Sequence, residues 1–282
     1  MIEPGQSLEA AIQQARARDR AEIVFFVNGC DPSPETTLEL LRVVRRHGLA
    51  CVELCVPFPR SITDGPVIRA SHDRGLAAGA TLEAVLKLAA RARGELGLHV
   101  VLLADYRHTV LPVGLERFVR SARDSGASAT LIHALPPALR PSYVDVSRAA
   151  GLGRIMTFFA SSPRAVRQAA YDEAEGFVYV VSRLGRTGTA AIDDSLQAEI
   201  RTFRGETAKP LAVGFGVTTR HHVTALLQAG ADAVIVGSAG VTTIADHLSR
   251  RDDIAPAFDR LVTSLVGGEP RQPNGALFHD AD

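Results

Sequence analysis

Glu53 stands inside the apolar run Val52, Glu53, Leu54, Cys55, Val56, and a second carboxylate, Asp64, follows in the turn Thr63, Asp64, Gly65, Pro66. Such a run predicts a buried strand. Its alternation puts Glu53 on one face with Cys51 and Cys55 and sends Val52, Leu54 and Val56 to the other. Glu53 is then an inward carboxylate. An ionised carboxylate is costly to bury alone, so such a residue is paired, protonated near neutral pH, or kept for proton transfer. A structural Glu bonded to an Arg or a backbone amide fits this strand, taken alone, equally well.

A second kind of chemistry is suggested by three glycine-bearing segments: Ser182-Arg183-Leu184-Gly185-Arg186-Thr187-Gly188, Gly214-Phe215-Gly216, and Gly237-Ser238-Ala239. Glycine lets backbone approach an anion closely, and a helix N-terminus offers unpaired N–H groups and a favourable dipole. One such loop is more often turn geometry. Three in succession, each following a strand, point to a phosphate.

The elements that must hold these residues alternate along the chain. Apolar, β-rich runs fall at 22–28, 50–56, 98–104, 129–133, 154–159, 176–182, 210–214 and 233–237, and amphipathic helical stretches separate them. Eight strand and helix units predict a single (β/α)8 TIM barrel, and no glycine-rich dinucleotide turn follows the first strand. An extra N-terminal helix over 7–19 is expected to cover the barrel bottom, and a closing C-terminal helix is expected over 256–266. The expected organisation is one domain over 1–266 with a disordered tail at 267–282. In a barrel the site lies at the C-terminal ends of the strands, where both carboxylates and all three glycine segments fall.

The chain has 282 residues, 46% of them hydrophobic, and Lys plus Arg and Asp plus Glu both number 31. A balanced charge favours neither nucleic acid nor an anionic membrane as partner. Cys51 and Cys55 are too far apart on one strand to bridge, so reduced thiols and a cytoplasmic setting are expected. No apolar run has the length of a membrane span, and residues 1–7 lack an export pattern.

Taken together, these motifs resemble the α subunit of tryptophan synthase. The likeness runs from about Glu22 to about Leu248. It is carried by Asp31-Pro32 with Glu35-Thr36, Glu53-Leu54 with Pro57-Phe58, Asp64-Gly65-Pro66, Gly176-Phe177-Val178-Tyr179, Ser182-Arg183 with Gly185 and Thr187-Gly188, Gly214-Phe215-Gly216, and Gly237-Ser238. The resemblance implies a retro-aldol cleavage of indole-3-glycerol phosphate to indole and glyceraldehyde 3-phosphate, with no metal and no organic cofactor in this subunit. It makes Glu53 the acid and base and Asp64 the acceptor of the indole N–H. Tyr179 supports Glu53 or the substrate, and Thr187 closes the sixth loop. Gly188, Gly216, Gly237 and Ser238 bind the phosphate, and Phe26, Tyr106 and His133 border the indole.

The chain departs from the family at the rim. Pro59, Arg60 and Ser61 stand where the family has Ser-Asp-Pro, in a loop that also meets the β subunit, so an altered contact with that partner is expected. Arg186 replaces a small apolar residue, His133-Ala134 replaces a small residue followed by Asp, a glycine is missing near Cys30, and Ala104 stands where a larger residue is common. Two alternatives follow: a lyase or aldolase for a related phosphorylated substrate in a specialised pathway, or a catalytically weak regulatory homologue. The presence of Glu53 and Asp64 counts against the second.

Overall fold

The computed structural model describes residues 6–17, 21–181, 194–214 and 216–267. Its strands are β1 (Glu22–Asn28), β2 (Cys51–Cys55), β3 (His99–Asp105), β4 (Ala129–His133), β5 (Gly153–Arg154), β6 (Met156–Phe159), β7 (Val178–Val181), β8 (Leu211–Gly214) and β9 (Ala233–Val236). They form one sheet in the order β5-β4-β3-β2-β1-β9-β8-β7-β6, and every pairing between strands is parallel. The expected fifth strand is divided at Ile155. Its first half pairs with β4 and its second with β7, while the Ile155 N–H still donates to the Thr130 carbonyl at 2.9 Å. Because β5 and β6 are consecutive pieces of one strand, the ladder closes through them. The nine segments are the eight strands of a (β/α)8 barrel, as the alternation of elements predicts.

Strands buried on both faces explain the near-continuous apolar runs. The face bearing Ile23, Phe25, Val27, Val52, Leu54, Val100 and Leu102 packs under the helices. The opposite face sends Val24, Cys51, Val101, Ala129, Leu131, Ala212, Ala233 and Ile235 into the barrel lumen. Helix Leu8–Ala17 adds Leu8 and Ile12 to that lumen cluster, closing the barrel bottom. At the other end of the chain, helix Ile254–Val266 lays Phe258 on Phe25, ring centroids 5.1 Å apart. Of the tail expected at 267–282, Gly267 caps that helix with φ 79° and 268–282 lies outside the described residues. Among those that are described, no helix is long and apolar enough to cross a membrane.

One full helix was not foreseen. Between β2 and β3 run two helices, Pro66–Ala77 and Leu82–Leu96, where one was expected. Pro66 suits the first helical position, where its missing N–H costs nothing and its fixed φ is already helical. Gly75 lets this helix approach the barrel mouth closely, because a Cβ there would lie 2.9 Å from Pro57 Cγ and 3.0 Å from the Gly29 carbonyl oxygen.

Candidate active site

Glu53 lies on the lumen face of β2, in register with Phe26 on β1 and Val101 on β3. The alternation of β2 therefore turns the carboxylate inward with Cys51 and Cys55. Glu53 is 2% exposed, and among the described residues its Oε2 has no hydrogen-bond partner. Burial, and then the charge of Asp64, push its pKa up to about 8. Such a carboxyl holds a proton at neutral pH and can still surrender it, as a general acid and base must.

Asp64 has the opposite environment. Ser61 Oγ donates to its Oδ2 at 2.6 Å. The ring of His72, on the unforeseen helix, reaches the same oxygen through Nε2 at 3.3 Å. The Phe58 backbone N–H donates to Nδ1 of that ring at 3.3 Å. An Nδ1 that accepts leaves the neutral ring's proton on Nε2, so His72 donates to Asp64. Burial alone would raise the Asp64 pKa, but hydrogen bonds from His72 and Ser61, with the nearby imidazoles of His72 and His133, bring it below the ordinary value. Two neighbouring carboxyls are thus held in different protonation states, the pattern that assigns acid and electrostatic roles.

Tyr179 projects from β7 against the lumen cluster. Burial, then the charges of Glu53 and Asp64, raise its hydroxyl far above the usual range, so it stays protonated in the field of both carboxylates. A Cβ at Gly214 would lie 2.5 Å from that hydroxyl oxygen, which gives this glycine a packing reason independent of any anion. Gly216 adopts φ +47°. Gly237 sits beside Phe26 and precedes helix Ser238–Arg250, whose start has no side-chain cap. Thr187 and Gly188, with the whole of 182–193, lie outside the described residues.

His133 closes the lumen face of β4. Its Nε2 lies 3.3 Å from Thr63 Oγ1, and its ring stacks on Phe58 at 6.2 Å. Tyr106, expected at the indole, is half-buried just past the end of β3 and packs against the cluster under the helices. Its neighbour Asp105 continues the Val101, Leu103 face of β3 and pairs in register with His133. Asp105 accepts hydrogen bonds from the His108 backbone at 2.9 Å and bonds its Nδ1 at 2.7 Å. Ser61, His72, Phe58, Asp105 and His108 were absent from the sequence-based site. Extending the period-2 alternation of β3 by one residue finds Asp105, and Pro66 at a helix start points toward His72.

The family model described as tryptophan synthase alpha chain matches residues 12–265. The tryptophan synthase alpha chain of Gloeobacter violaceus is 36% identical over 80% of this chain and 83% of its own length. That of Thermosynechococcus vestitus is 32% identical over 94% and 99%. Among solved structures, a mutant tryptophan synthase alpha-subunit from the hyperthermophile Pyrococcus furiosus superposes with a TM-score of 0.80 at 28% identity, covering 88% of this chain and 98% of its own.

Proposed function

The chain belongs to the tryptophan synthase alpha chain family, and from that premise we propose how its site works. The family reaction cleaves indole-3-glycerol phosphate to indole and glyceraldehyde 3-phosphate. Glu53, protonated at rest, gives its proton to the indole carbon that bears the glycerol phosphate chain. The resulting carboxylate takes the proton of the adjacent hydroxyl. The carbon–carbon bond then breaks, its electron pair restores the aromatic ring, and the hydroxyl-bearing carbon leaves as an aldehyde. Asp64, ionised, accepts the indole N–H and stabilises the positive charge that ring protonation creates.

Tyr179 lends its hydroxyl to this field, and Phe26 and His133 border the ring. Gly216, Gly237 and Ser238, with Thr187 and Gly188, take the phosphate end, a role supported by the uncapped helix start at Ser238. The observation that carries the reading is the opposite bias of the two carboxyls, Glu53 raised to about 8 and Asp64 lowered. Incubating the purified chain with indole-3-glycerol phosphate should release indole; Asp64→Asn should release far less. Absence of indole from the unsubstituted chain, with and without a β subunit, would sink the reading.

The family pairs with a β subunit, and this chain's contact is proposed to be altered. Arg60 is exposed and takes a left-handed φ of +56° in the loop that holds Ser61. A cation where the family has a carboxylate opposes a surface built for the carboxylate. Calorimetry should show weak binding to an ordinary β subunit, improved by Arg60→Asp with Pro59→Ser and Ser61→Pro; tight binding by the unchanged chain would contradict this. A cytoplasmic setting is supported by three buried, unbridged thiols at Cys30, Cys51 and Cys55.

A further inference from the structure

The environment of Asp64 contains a device that the cleavage reaction does not by itself require. His72 is 2% exposed, and both ring nitrogens are engaged, Nδ1 by the Phe58 N–H and Nε2 by Asp64 Oδ2. Its ring also packs on the Phe58 ring, centroids 4.4 Å apart. Ser61 binds the same oxygen of Asp64. Among the described residues nothing donates to Oδ1, and the two donors that reach Asp64, Ser61 and His72, both hold Oδ2.

The helix that carries His72 is itself anchored. Asp31, fully buried, accepts from Arg74 Nε on Oδ1 and from Arg74 Nη2 on Oδ2, each at 2.7 Å. Ser71 Oγ also donates to Asp31 Oδ2 and accepts from Asn28 Nδ2 at 2.9 Å. Residues 71, 72 and 74 thus fasten one helix to the ends of β1 and β2 and leave His72 no freedom to turn away from Asp64.

We propose that His72 is a positioning residue for the reaction: its imidazole, oriented by the Phe58 amide, aims Asp64 Oδ1 at the N–H of the substrate ring. The inference rests on the role given to Asp64 above. An oriented imidazole fixes a carboxylate in one rotamer, so the cost of ordering it is met in folding and not in the transition state.

Two substitutions separate positioning of Asp64 from simple support of Phe58. His72→Asn keeps an acceptor near the Nδ1 position for the Phe58 N–H but is too short to reach Asp64. His72→Gln places an amide N–H near the Nε2 position and retains the bond to Asp64. Positioning predicts a kcat about tenfold or more lower for Asn, with KM little changed, and a kcat near the native value for Gln. In an Asp64→Asn background, His72→Asn should lower kcat no further. Support of Phe58 predicts the reverse order, Asn near native and Gln impaired, and that order would overturn the proposal. So would an undiminished effect of His72→Asn in the Asp64→Asn background.

A second readout needs no substrate. In a ¹³C carboxyl titration of the full chain, His72→Asn should move the Asp64 midpoint upward, whereas His72→Gln should leave it low. Glu53 from β2 and His133 from β4 also act on Asp64, and neither is changed by these substitutions. An unmoved midpoint in His72→Asn would overturn the proposal. Because the titration is independent of turnover, a chain that releases no indole yet shows the shift would refute the proposed function, and with it the positioning role, while leaving the hold of His72 on Asp64 intact.

Discussion

The two helices that join β2 to β3 bury stripes of the same spacing and opposite character. Leu82–Leu96 buries Val85, Leu88, Ala89 and Ala92, an apolar stripe that packs under the sheet and does nothing else. Pro66–Ala77 buries Ile68, Ser71, His72 and Gly75 at the same intervals. Here the stripe carries a hydroxyl, an imidazole and a bare backbone, and each has a partner at the barrel mouth. An apolar stripe holds a helix by area, which tolerates small shifts; a stripe of hydrogen bonds holds it by geometry, which does not. A carboxylate that must meet one N–H needs the second kind of support.

That contrast can be broken from either side. The largest effect is expected at Arg74→Met, which leaves the buried Asp31 without its bidentate partner. Losing one member of a buried pair costs about 3–5 kcal/mol. The lost anchor should also lower kcat, so denaturant unfolding and turnover should fall together. Leu88→Ala on the companion helix should cost about 2–5 kcal/mol through its cavity and leave kcat of the surviving folded protein near native. A large kcat loss at Leu88 would erase the distinction between the helices. Gly75→Ala should cost about 1–3 kcal/mol, because its methyl meets Pro57 and the Gly29 carbonyl. As the helix is pushed outward, kcat should decline as well.

A smaller effect separates the two carboxylates by pH. Glu53 is raised to about 8 in the folded chain from an ordinary 4.5. Between those values the unfolded chain has lost this proton and the folded chain keeps it, so stability falls as pH rises, by about 1.4 kcal/mol per unit from this group. Its contribution is complete below pH 4.5 and gone once pH passes about 8. Asp64, lowered in the folded chain, contributes stability above the usual carboxylate range and loses it on acidification. Urea unfolding from pH 5 to 8 should therefore show a downward slope from Glu53 that is absent in Glu53→Gln. An identical slope in both proteins would mean that Glu53 is not held protonated.

The same contrast explains what was legible beforehand. Apolar, β-rich runs made the strands readable, and the period-2 geometry of a strand turned Glu53 inward, a single carboxylate with apolar residues on both sides. Asp64 was readable from its turn. The helix after it was not, because apart from Ile68 its buried positions, Ser71, His72 and Gly75, are polar or small and give no hydrophobic period to find. Tyr106 was hard to place for a neighbouring reason. β3 ends at Asp105 and a helical turn begins at Tyr106, where the alternation of the strand no longer sets which way a side chain turns. The division of the fifth strand at Ile155 had no signal, since Arg154 to Phe159 is apolar or β-branched throughout apart from its first residue. Polar residues that fix position at the mouth are thus the least visible part of the molecule, while the apolar frame is the most visible.

The central claim is that Glu53 moves the proton in carbon–carbon cleavage, and its most direct test is single-turnover indole release by Glu53→Gln. The amide keeps the side chain's shape and cannot exchange a proton. The account predicts a rate lower by roughly 10²- to 10⁴-fold in a protein with native circular dichroism and undiminished stability at pH 8. A near-native rate of indole release by that variant would contradict it.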